Sequence, residues 1–327
     1  MVKLSSNILK VSVIIPVYNT SAFVAEAIAS VLIQDEVVEC IIIDDGSTDE
    51  SLKIIQEFAE KDNRVIILHH PNRKNLGPGP SRNLGLKAAT AEYIAFLDAD
   101  DYWVENRFAV TKSLFANHPD ADGVYEARAT KDWNGDVDSP DLSMLRTIPK
   151  PDEVFYHFSP FGKDGFFSLI GLTVKRSVID KIGYFSSTLW LTQDTEWITK
   201  LCLKCRLYGG VINVPIAIRR FHRDNSSRDI ERLKSSRVSL CFSLLEWTFK
   251  EKLKAEIKEI ISNVLLKYHY ELNNLSDKNT LAKKRSDISL MVKLWRIDSS
   301  LFSYPRVKYF RNLVFHFPVK QSFDFYE

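Results

Sequence analysis

Residues 92–103 read EYIAFLDADDYW, an apolar run that ends abruptly in three carboxylates within four positions. The part Tyr93–Leu97 has the length and composition of a buried β-strand. Asp98, Asp100 and Asp101 follow it, and like charges this close repel one another unless a cation lies among them. The stretch therefore predicts a strand whose carboxyl end binds a hard divalent cation. On its own it would equally suit a solvated acidic turn in which Asp101 caps the next helix.

Upstream of this stretch, apolar runs of strand length alternate with segments of helical spacing. We predict strands at Val11–Val17, Cys40–Ile43 and Val65–Leu68, and helices at about 21–33, 49–61, 81–89 and 105–117. Short strands that alternate with helices predict an α/β fold with a mostly parallel sheet of Rossmann-like type. Ligands bind such sheets beyond the carboxyl ends of the strands, where Tyr18, Asp44, Asp45 and the aspartates after Leu97 all fall.

The charge of the 327-residue chain is distributed unevenly, although the formal net charge is only +2. Residues 1–230 carry 26 Lys and Arg against 31 Asp and Glu, whereas residues 231–327 carry 18 against 11. The Pro-, Gly- and Asp-rich segment 130–165 indicates a long excursion, and the sequence from residue 230 onward has helical spacing. We therefore predict an acidic catalytic body over 1–229 and a basic, aromatic, helical extension over 230–327.

Targeting and redox signals are weak in this sequence. No apolar run reaches the roughly 20 residues that a membrane span requires, and no leader pattern precedes the first strand. Cys202 and Cys205 form a CxxC pair inside a helical pattern, with no second pair to complete a metal site, so we interpret them as structural. These features predict a cytoplasmic location.

Four motifs occur in fixed order at the predicted strand ends: VSVIIPVYNT at 11–20, IIIDDGSTDES at 41–51, NLGPGPSRNLGL at 75–86, and EYIAFLDADD at 92–101. The series resembles the family 2 inverting glycosyltransferases, whose catalytic domain has the A-type fold of the nucleotide-diphospho-sugar transferase superfamily. The resemblance covers about residues 11–227. It implies a nucleotide-sugar-binding domain over 1–229, with a donor half at about 1–129 and an acceptor half at about 165–229.

The donor-side residues also have a physical interpretation of their own. Tyr18, just past Pro16, can present an aromatic face on which a base stacks. Asp44 and Asp45 can accept hydrogen bonds from a uracil N3–H or ribose hydroxyls, although alone they would equally form a turn and helix cap. Arg82, in the first turn of a helix, can place its positive charge near the base or pyrophosphate. The predicted nucleotide-binding set is Pro16, Tyr18, Asp44, Asp45, Arg82, Asp98 and Asp100.

The resemblance also implies a Mg²⁺ or Mn²⁺ ion. Carried over, Asp100 ligates the ion that bridges the two phosphates, and Asp98 touches the ribose or a metal-bound water. The segment RRFH at 219–222, followed by Asn225-Ser226-Ser227, resembles a family motif in which His222 approaches the metal and Arg219 or Arg220 holds phosphate. A histidine in a basic turn is otherwise an ordinary surface residue.

The acceptor side is represented by LTQDTEW at 191–197. In the resembling family an acidic pair Glu-Asp stands before a helix, and here the pair is Gln193-Asp194. The resemblance implies that Asp194 is the general base, with Glu196, one helical step along, as a rival. Gln193, Trp197 and Arg219 are the predicted contacts to the acceptor or diphosphate.

The C-terminal segment 278–320 holds ten Lys and Arg against two acids, Asp287 and Asp298, with aromatic residues between them. This composition suits adsorption to the anionic inner face of a cell membrane, and it equally suits a helical cap that packs on the body or on another subunit. Nucleic-acid binding conflicts with the acidic cleft upstream.

The expected activity is that of an inverting, metal-dependent hexosyltransferase that moves a sugar from a UDP-sugar to a glycan or glycolipid in cell-surface polysaccharide biosynthesis. A nucleotidyltransferase is less suitable, since it would place a basic Gly-rich signature where Pro16-Val17-Tyr18-Asn19 stands. A catalytically weak membrane-associated scaffold of the same fold stays open because of Gln193.

Overall fold

The computed structural model describes residues 9–132, 142–222, 229–275 and 280–315. The chain divides into two compact units, Met1–Asn225 and Ser226–Glu327. The predicted residues Asn225, Ser226, Ser227 and Lys278, and those beyond Phe315, lie outside the described part, as does 133–141 of the predicted excursion.

The first unit begins with the alternation of strands and helices that the sequence predicts. Its elements up to residue 132 are β1 (Val11–Val17), α1 (Val24–Leu32), β2 (Val37–Asp44), α2 (Ser51–Lys61), β3 (Val65–His69), α3 (Pro78–Ala88), β4 (Tyr93–Phe96), β5 (Tyr102–Trp103), α4 (Ala109–Asn117), β6 (Gly123–Tyr125) and β7 (Arg128–Asp132).

The rest of the first unit adds shorter elements around the same sheet. They are α5 (Val154–His157), β8 (Leu172–Lys175), α6 (Val178–Ile182), α7 (Gln193–Lys204), β9 (Leu207–Gly209) and β10 (Ala217–Phe221). α7 ends at Lys204, and Leu207 already pairs with Gly123 as the start of β9.

A seven-stranded sheet with the order β3-β2-β1-β4-β8-β6-β9 forms the centre of this unit. β1 pairs in parallel with β2 and with β4, and β2 pairs in parallel with β3. β8 runs antiparallel to both of its neighbours. The α/β class and the mostly parallel sheet are therefore as predicted, and the carboxyl ends of β1, β2 and β4 meet at one edge.

A second, three-stranded sheet has the order β5-β10-β7 and corrects one prediction. The predicted helix 105–117 begins only at Ala109, because β5 follows the aspartates and pairs antiparallel with β10. Asp101 therefore leads into a strand, and the interpretation of Asp101 as a helix N-cap is wrong.

The strands of the large sheet are nearly continuous apolar runs because both of their faces are covered. Six of the seven residues of β1 are buried. α3 lies close against this sheet at Gly85, where an added Cβ would stand 2.6 Å from Ile14 Cγ2. The small residue thus lets α3 and its polar N-terminal loop approach the strand ends.

The second unit is helical in its described part, with α8 (Ile230–Lys250), α9 (Ala255–Leu275), α10 (Thr280–Ile297) and α11 (Pro305–Val314). The helical character predicted from residue 230 onward is thus confirmed in the described part. Their shared core includes Leu240, Leu244, Ile261, Leu265 and Leu294. Among the residues described, no helix combines the length and apolar character needed to cross a membrane.

Candidate active site

Asp45, just past the end of β2, fixes the loop that enters α3. Its two carboxylate oxygens accept hydrogen bonds from the backbone N–H groups of Leu76 and Gly77, each at 2.8 Å. His70 Nε2 lies 3.5 Å from Oδ1. Burial raises the pKa of Asp45 above its usual value, and the two backbone hydrogen bonds oppose the shift. Asp45 thus connects the ends of two different segments at the sheet edge.

The ends of β1 and β2 are also tied to one another. Asp44 is buried and accepts a hydrogen bond from Ser47 N–H at 3.1 Å. Asn19, with a φ of +52°, accepts from Thr48 N–H at 2.8 Å. Pro16 pairs with Ile43 in the sheet and is half-buried, whereas Tyr18 is 48% exposed. Of this group, Tyr18 therefore presents the aromatic surface toward solvent.

A buried guanidinium joins the donor-side and acceptor-side residues. Arg82 on α3 pairs through Nη2 with Asp98 Oδ1, and its Nη1 donates to Gln193 Oε1 at 3.1 Å. The Asp98 side chain is 40% exposed, so it also faces solvent. The Arg82 guanidinium lies 5.8 Å from the centroid of the Phe185 ring. Arg82 thus holds the end of β4 against the start of α7.

Gln193 occupies the position where the resembling family has Glu. Its amide oxygen accepts the hydrogen bond from Arg82 that a carboxylate at the same place would accept. The exchange removes one negative charge and leaves Asp98 as the carboxylate paired with Arg82. Gln193 is buried, so its contacts are mainly to the protein.

The last two aspartates of the run 98–101 have different surroundings. Asp100 Oδ2 lies 3.0 Å from His222 Nε2, and the His222 ring stacks on Phe23 at a centroid distance of 4.7 Å. Asp101 is buried and accepts a hydrogen bond from Arg220 N–H at 2.9 Å. Burial, together with the charges of the two neighbouring aspartates, raises the pKa of Asp101 well above its usual value. The Asp101 carboxylate thus connects the segment between β4 and β5 to β10.

The side chain of Arg220 makes further contacts between β10 and the segment that follows β4. Its Nη1 donates to the backbone carbonyl oxygen of Asp100 at 3.0 Å, and Nη2 pairs with Glu26. The guanidinium also lies 4.5 Å from the ring centroid of Tyr102. Arg219, the neighbouring residue in β10, is half-buried and pairs in register with Thr130.

Within the described residues, no group of three or more His, Cys, Asp or Glu side chains forms a metal site. Asp100 and His222 nevertheless bring a carboxylate oxygen and an imidazole nitrogen within 3.0 Å of each other. Two such atoms are close enough to ligate one ion, and Mg²⁺ or Mn²⁺ commonly takes its remaining ligands from water and phosphate. The donor set thus fits a divalent ion that the substrate helps to bind.

Asp194 stands in the first turn of α7 and is half-buried. Its Oδ1 accepts a hydrogen bond from Thr195 N–H at 2.7 Å. Burial raises the pKa of Asp194, with the positive charge of Arg82 opposing the shift and Asp98 adding to it. A carboxylate with a raised pKa is a stronger base, which suits proton abstraction near neutral pH.

Glu196 and Trp197 have structural surroundings instead. Glu196 is buried and pairs with Lys200 at 2.9 Å within α7. The Trp197 side chain is fully buried, donates from Nε1 to the carbonyl oxygen of Gly183 at 3.1 Å, and stacks on Phe185. A fully buried indole has no surface with which to contact an acceptor, so we assign Trp197 to the core, a correction to the prediction.

Trp190 is an aromatic residue near the site that sequence reasoning missed. It is 41% exposed and three residues before Gln193. An added Cβ at Gly77 would stand 2.8 Å from Trp190 Cζ3, so the indole packs on the loop that Asp45 holds. A bulky aromatic in the polar run SSTLWLTQD was the available signal, and periodicity gives no weight to such isolated residues.

Comparison with known proteins identifies the family. A family model described as glycosyl transferase family 2 matches residues 12–183, more than half of the chain. An uncharacterized glycosyltransferase, EpsJ of Bacillus subtilis, is 35% identical over 144 residues, which cover 43% of this chain and 41% of EpsJ. The chain spans as little as 14% of a related Rickettsia bellii glycosyltransferase.

Two solved structures share the fold. S. aureus TarS 1–349 in complex with UDP-GlcNAc has a TM-score of 0.66 at 21% identity, covering 94% of this chain and 89% of that one. The Pyrobaculum calidifontis mannosyltransferase PcManGT, in complex with GDP-Man and Mn²⁺, has a TM-score of 0.51 at 16% identity, covering 94% and 84%. The chain belongs to glycosyl transferase family 2 and has the A-type fold, so both predictions are confirmed.

Proposed function

We propose that this chain is an inverting, metal-dependent glycosyltransferase that moves a hexose from a UDP-sugar to a hydroxyl group of a glycan or glycolipid in cell-surface polysaccharide biosynthesis. The observation that carries the proposal is the buried Arg82, which pairs with Asp98 and binds Gln193, the residue before Asp194. One guanidinium thus aligns the donor-side strand end with the proposed base.

The donor is proposed to bind across the carboxyl ends of β1, β2 and β4. The exposed Tyr18 offers a stacking face for the base, and Asp44, Asp45 and the 75–77 loop place polar groups at the same edge of the sheet. Support for a nucleotide sugar comes from TarS and PcManGT, whose structures hold UDP-GlcNAc and GDP-Man. Asp98 keeps part of its side chain in solvent and can reach a ribose hydroxyl.

Asp100 and His222 are the residues that we propose to hold Mg²⁺ or Mn²⁺. A divalent ion bound there would neutralise charge on the departing nucleoside diphosphate. The ring of Phe23 fixes the His222 imidazole by stacking, and Arg220 fixes the backbone of Asp100. These contacts restrain the imidazole and the Asp100 backbone before a ligand binds, which reduces the entropy lost on binding.

Asp194 is the proposed general base. It takes the proton of the acceptor hydroxyl while that oxygen attacks the anomeric carbon from the face opposite the leaving nucleotide. A single displacement inverts the anomeric centre and needs one carboxylate near the acceptor, whereas glycosidases use two. Glu196 is a weaker candidate because Lys200 already neutralises it in a buried pair.

The scaffold alternative was kept open by Gln193. In the structure Gln193 keeps the hydrogen bond to Arg82, and the departure from Glu leaves the next residue, Asp194, in place. The substitution therefore gives no reason for loss of turnover, and we favour the enzyme.

A donor screen tests the proposal. The full chain is incubated with Mn²⁺ and a panel of UDP-, GDP- and dTDP-sugars, and nucleotide release and the anomeric configuration of products are measured. We expect release with a UDP-sugar and inverted product with glycan acceptors. The absence of both binding and turnover with every nucleotide sugar would refute the proposal. A retained anomeric configuration would refute the single displacement.

A further inference from the structure

The helix α10 has two apolar faces, of which only one is packed. Leu290, Met291 and Leu294 are buried within the helical unit. Ile288, Val292 and Trp295 stand at positions i, i+4 and i+7, which share one face of a helix, and they are exposed. Trp295 is 64% exposed. An ordinary surface helix needs only the packed stripe, so the outer stripe of Ile288, Val292 and Trp295 requires its own explanation.

Cations border the outer stripe on both sides. Lys284 is four residues before Ile288 and Arg285 three residues before it, so both are neighbours of Ile288 on the helix surface. Arg296 stands four residues after Val292 in the same way. All three are exposed. The stripe is thus an apolar band between positive charges.

The acids of this region turn away from the band. Asp287 Oδ1 accepts from His269 Nε2 at 2.8 Å and so faces α9. Asp298 accepts from the backbone N–H of Ser300 at 2.7 Å, just past the end of α10. These contacts direct both carboxylates toward protein groups of the helical unit.

We propose that the outer stripe of α10 is a docking surface for an anionic lipid bilayer, with Trp295, Val292 and Ile288 entering the headgroup region and Lys284, Arg285 and Arg296 binding lipid phosphates. Exposed indole and aliphatic side chains with flanking cations suit a helix that lies in the plane of such a surface. The inference is independent of the proposed enzymatic activity.

Charge favours a bilayer over a second copy of the chain as the occupant. In a two-fold symmetric contact through this stripe, Lys284, Arg285 and Arg296 of one copy would face the same cations of the other. Like charges at an interface oppose association, whereas lipid phosphates complement them. The net excess of seven cations in residues 231–327 has the same sign as the band.

Vesicle flotation without donor or acceptor tests the proposal. The full chain is mixed with vesicles of 70% phosphatidylcholine and 30% phosphatidylglycerol, or of phosphatidylcholine alone. We expect flotation with the anionic vesicles only. The triple variant Ile288→Ser/Val292→Ser/Trp295→Ser and the triple variant Lys284→Gln/Arg285→Gln/Arg296→Gln should each lower partitioning by at least about tenfold. Circular dichroism checks that both variants fold.

A matched control distinguishes the effect of the band on vesicle binding from the effect of net charge. Lys250→Gln/Lys252→Gln/Lys254→Gln removes the same three charges from exposed positions at the α8–α9 turn and should change partitioning by less than about threefold. An equal loss in this control, or full flotation of the Ser variant, would overturn the proposal. Absence of flotation by the parent chain would overturn it too. So would a parent dimer, detected by light scattering, that the Ser variant abolishes.

Discussion

Arg82 donates a hydrogen bond to Gln193 at 3.1 Å, although 111 residues separate the two in the chain. The contact joins α3, which follows the third strand, to α7, which carries Asp194. Since Arg82 also pairs with Asp98, its planar guanidinium bridges two elements that local sequence patterns cannot relate. The geometry of the proposed site therefore depends on one buried cation.

Substitutions at Gln193 test this bridge. Gln193→Glu keeps an acceptor oxygen for Arg82 and should retain kcat/KM within about threefold, whereas Gln193→Leu removes the acceptor. The loss of a hydrogen bond to a charged donor should lower the free energy of unfolding by about 2 kcal/mol. It should also lower kcat/KM by about tenfold, because Asp194 follows directly. Urea unfolding and transfer kinetics measure both. A Leu variant as active as the Glu variant would show that the bridge does not position the base.

Asp45 should act mainly through the 75–77 loop. Asp45→Asn replaces one of two acceptor oxygens by an N–H₂ group that faces a backbone N–H. We expect the free energy of unfolding to fall by about 1–3 kcal/mol and the KM for the donor to rise. Thermal unfolding and donor titration measure these changes.

Asp49→Asn is the matched control for Asp45. Asp49 also accepts two backbone N–H groups, from Ser21 and Ser51, each at 3.0 Å. The Asp49→Asn variant should show a similar fall in the free energy of unfolding, and its KM for the donor should stay unchanged. A rise in KM of equal size in both variants would mean that Asp45 has no particular role toward the donor.

The sequence was informative where the determinants are local. β1 has the predicted bounds because a buried parallel strand is a continuous apolar run. The placement of Asp44, Asp45 and Asp98 at or just past strand ends follows from the same runs. Asp101 was misinterpreted because its partner, Arg220, lies 119 residues away and the β5–β10 pairing leaves no local signal.

The same limit applies to the acceptor side. The pattern at 192–197 placed Asp194, Glu196 and Trp197 together but could not show which of them faces the crevice. Burial of Glu196 with Lys200, and of Trp197 against Phe185, is decided by tertiary packing. A family motif thus identifies the segment, and only the structure separates its base candidate from its core residues.

Metal removal tests Asp100 and His222. EDTA should abolish transfer, and Mn²⁺ should restore it. His222→Gln should raise the Mn²⁺ concentration for half-maximal activity by at least about tenfold. Loss of a residue that only hydrogen-bonds to a metal ligand already lowers metal affinity by that factor. Manganese titration of activity, and of Mn²⁺ binding by electron paramagnetic resonance, measures the shift.

His118→Gln is the control for His222. His118 stacks on Tyr208 at a centroid distance of 4.3 Å and has no proposed part in the site. Its Mn²⁺ requirement should equal that of the parent chain. Full activity of the parent in excess EDTA would contradict the metal assignment.

Asp194→Asn should lower kcat by about 10²–10⁴-fold, the range of general-base catalysis, while the affinity for UDP stays within about threefold. Glu196→Gln removes the rival carboxylate and should keep most of the activity, with its main cost in stability through the pair with Lys200. Transfer kinetics and UDP calorimetry separate the two effects. If Glu196→Gln loses activity and Asp194→Asn does not, the base assignment is reversed.

The pH dependence of kcat/KM gives an independent test of the base. Asp194 must be ionised to accept the proton, so activity should rise as pH increases through its pKa. Because burial raises the pKa of Asp194, the midpoint of this acidic limb should lie above about 3.9, the value of an ordinary aspartate. Enzyme held at the lowest pH and returned to pH 7.5 must recover full activity, which excludes irreversible acid inactivation, and circular dichroism at the lowest pH must show the folded chain. The residual activity of Asp194→Asn should lack this limb. A kcat/KM that stays constant down to pH 4 would show that the titrating base is not Asp194 in this environment.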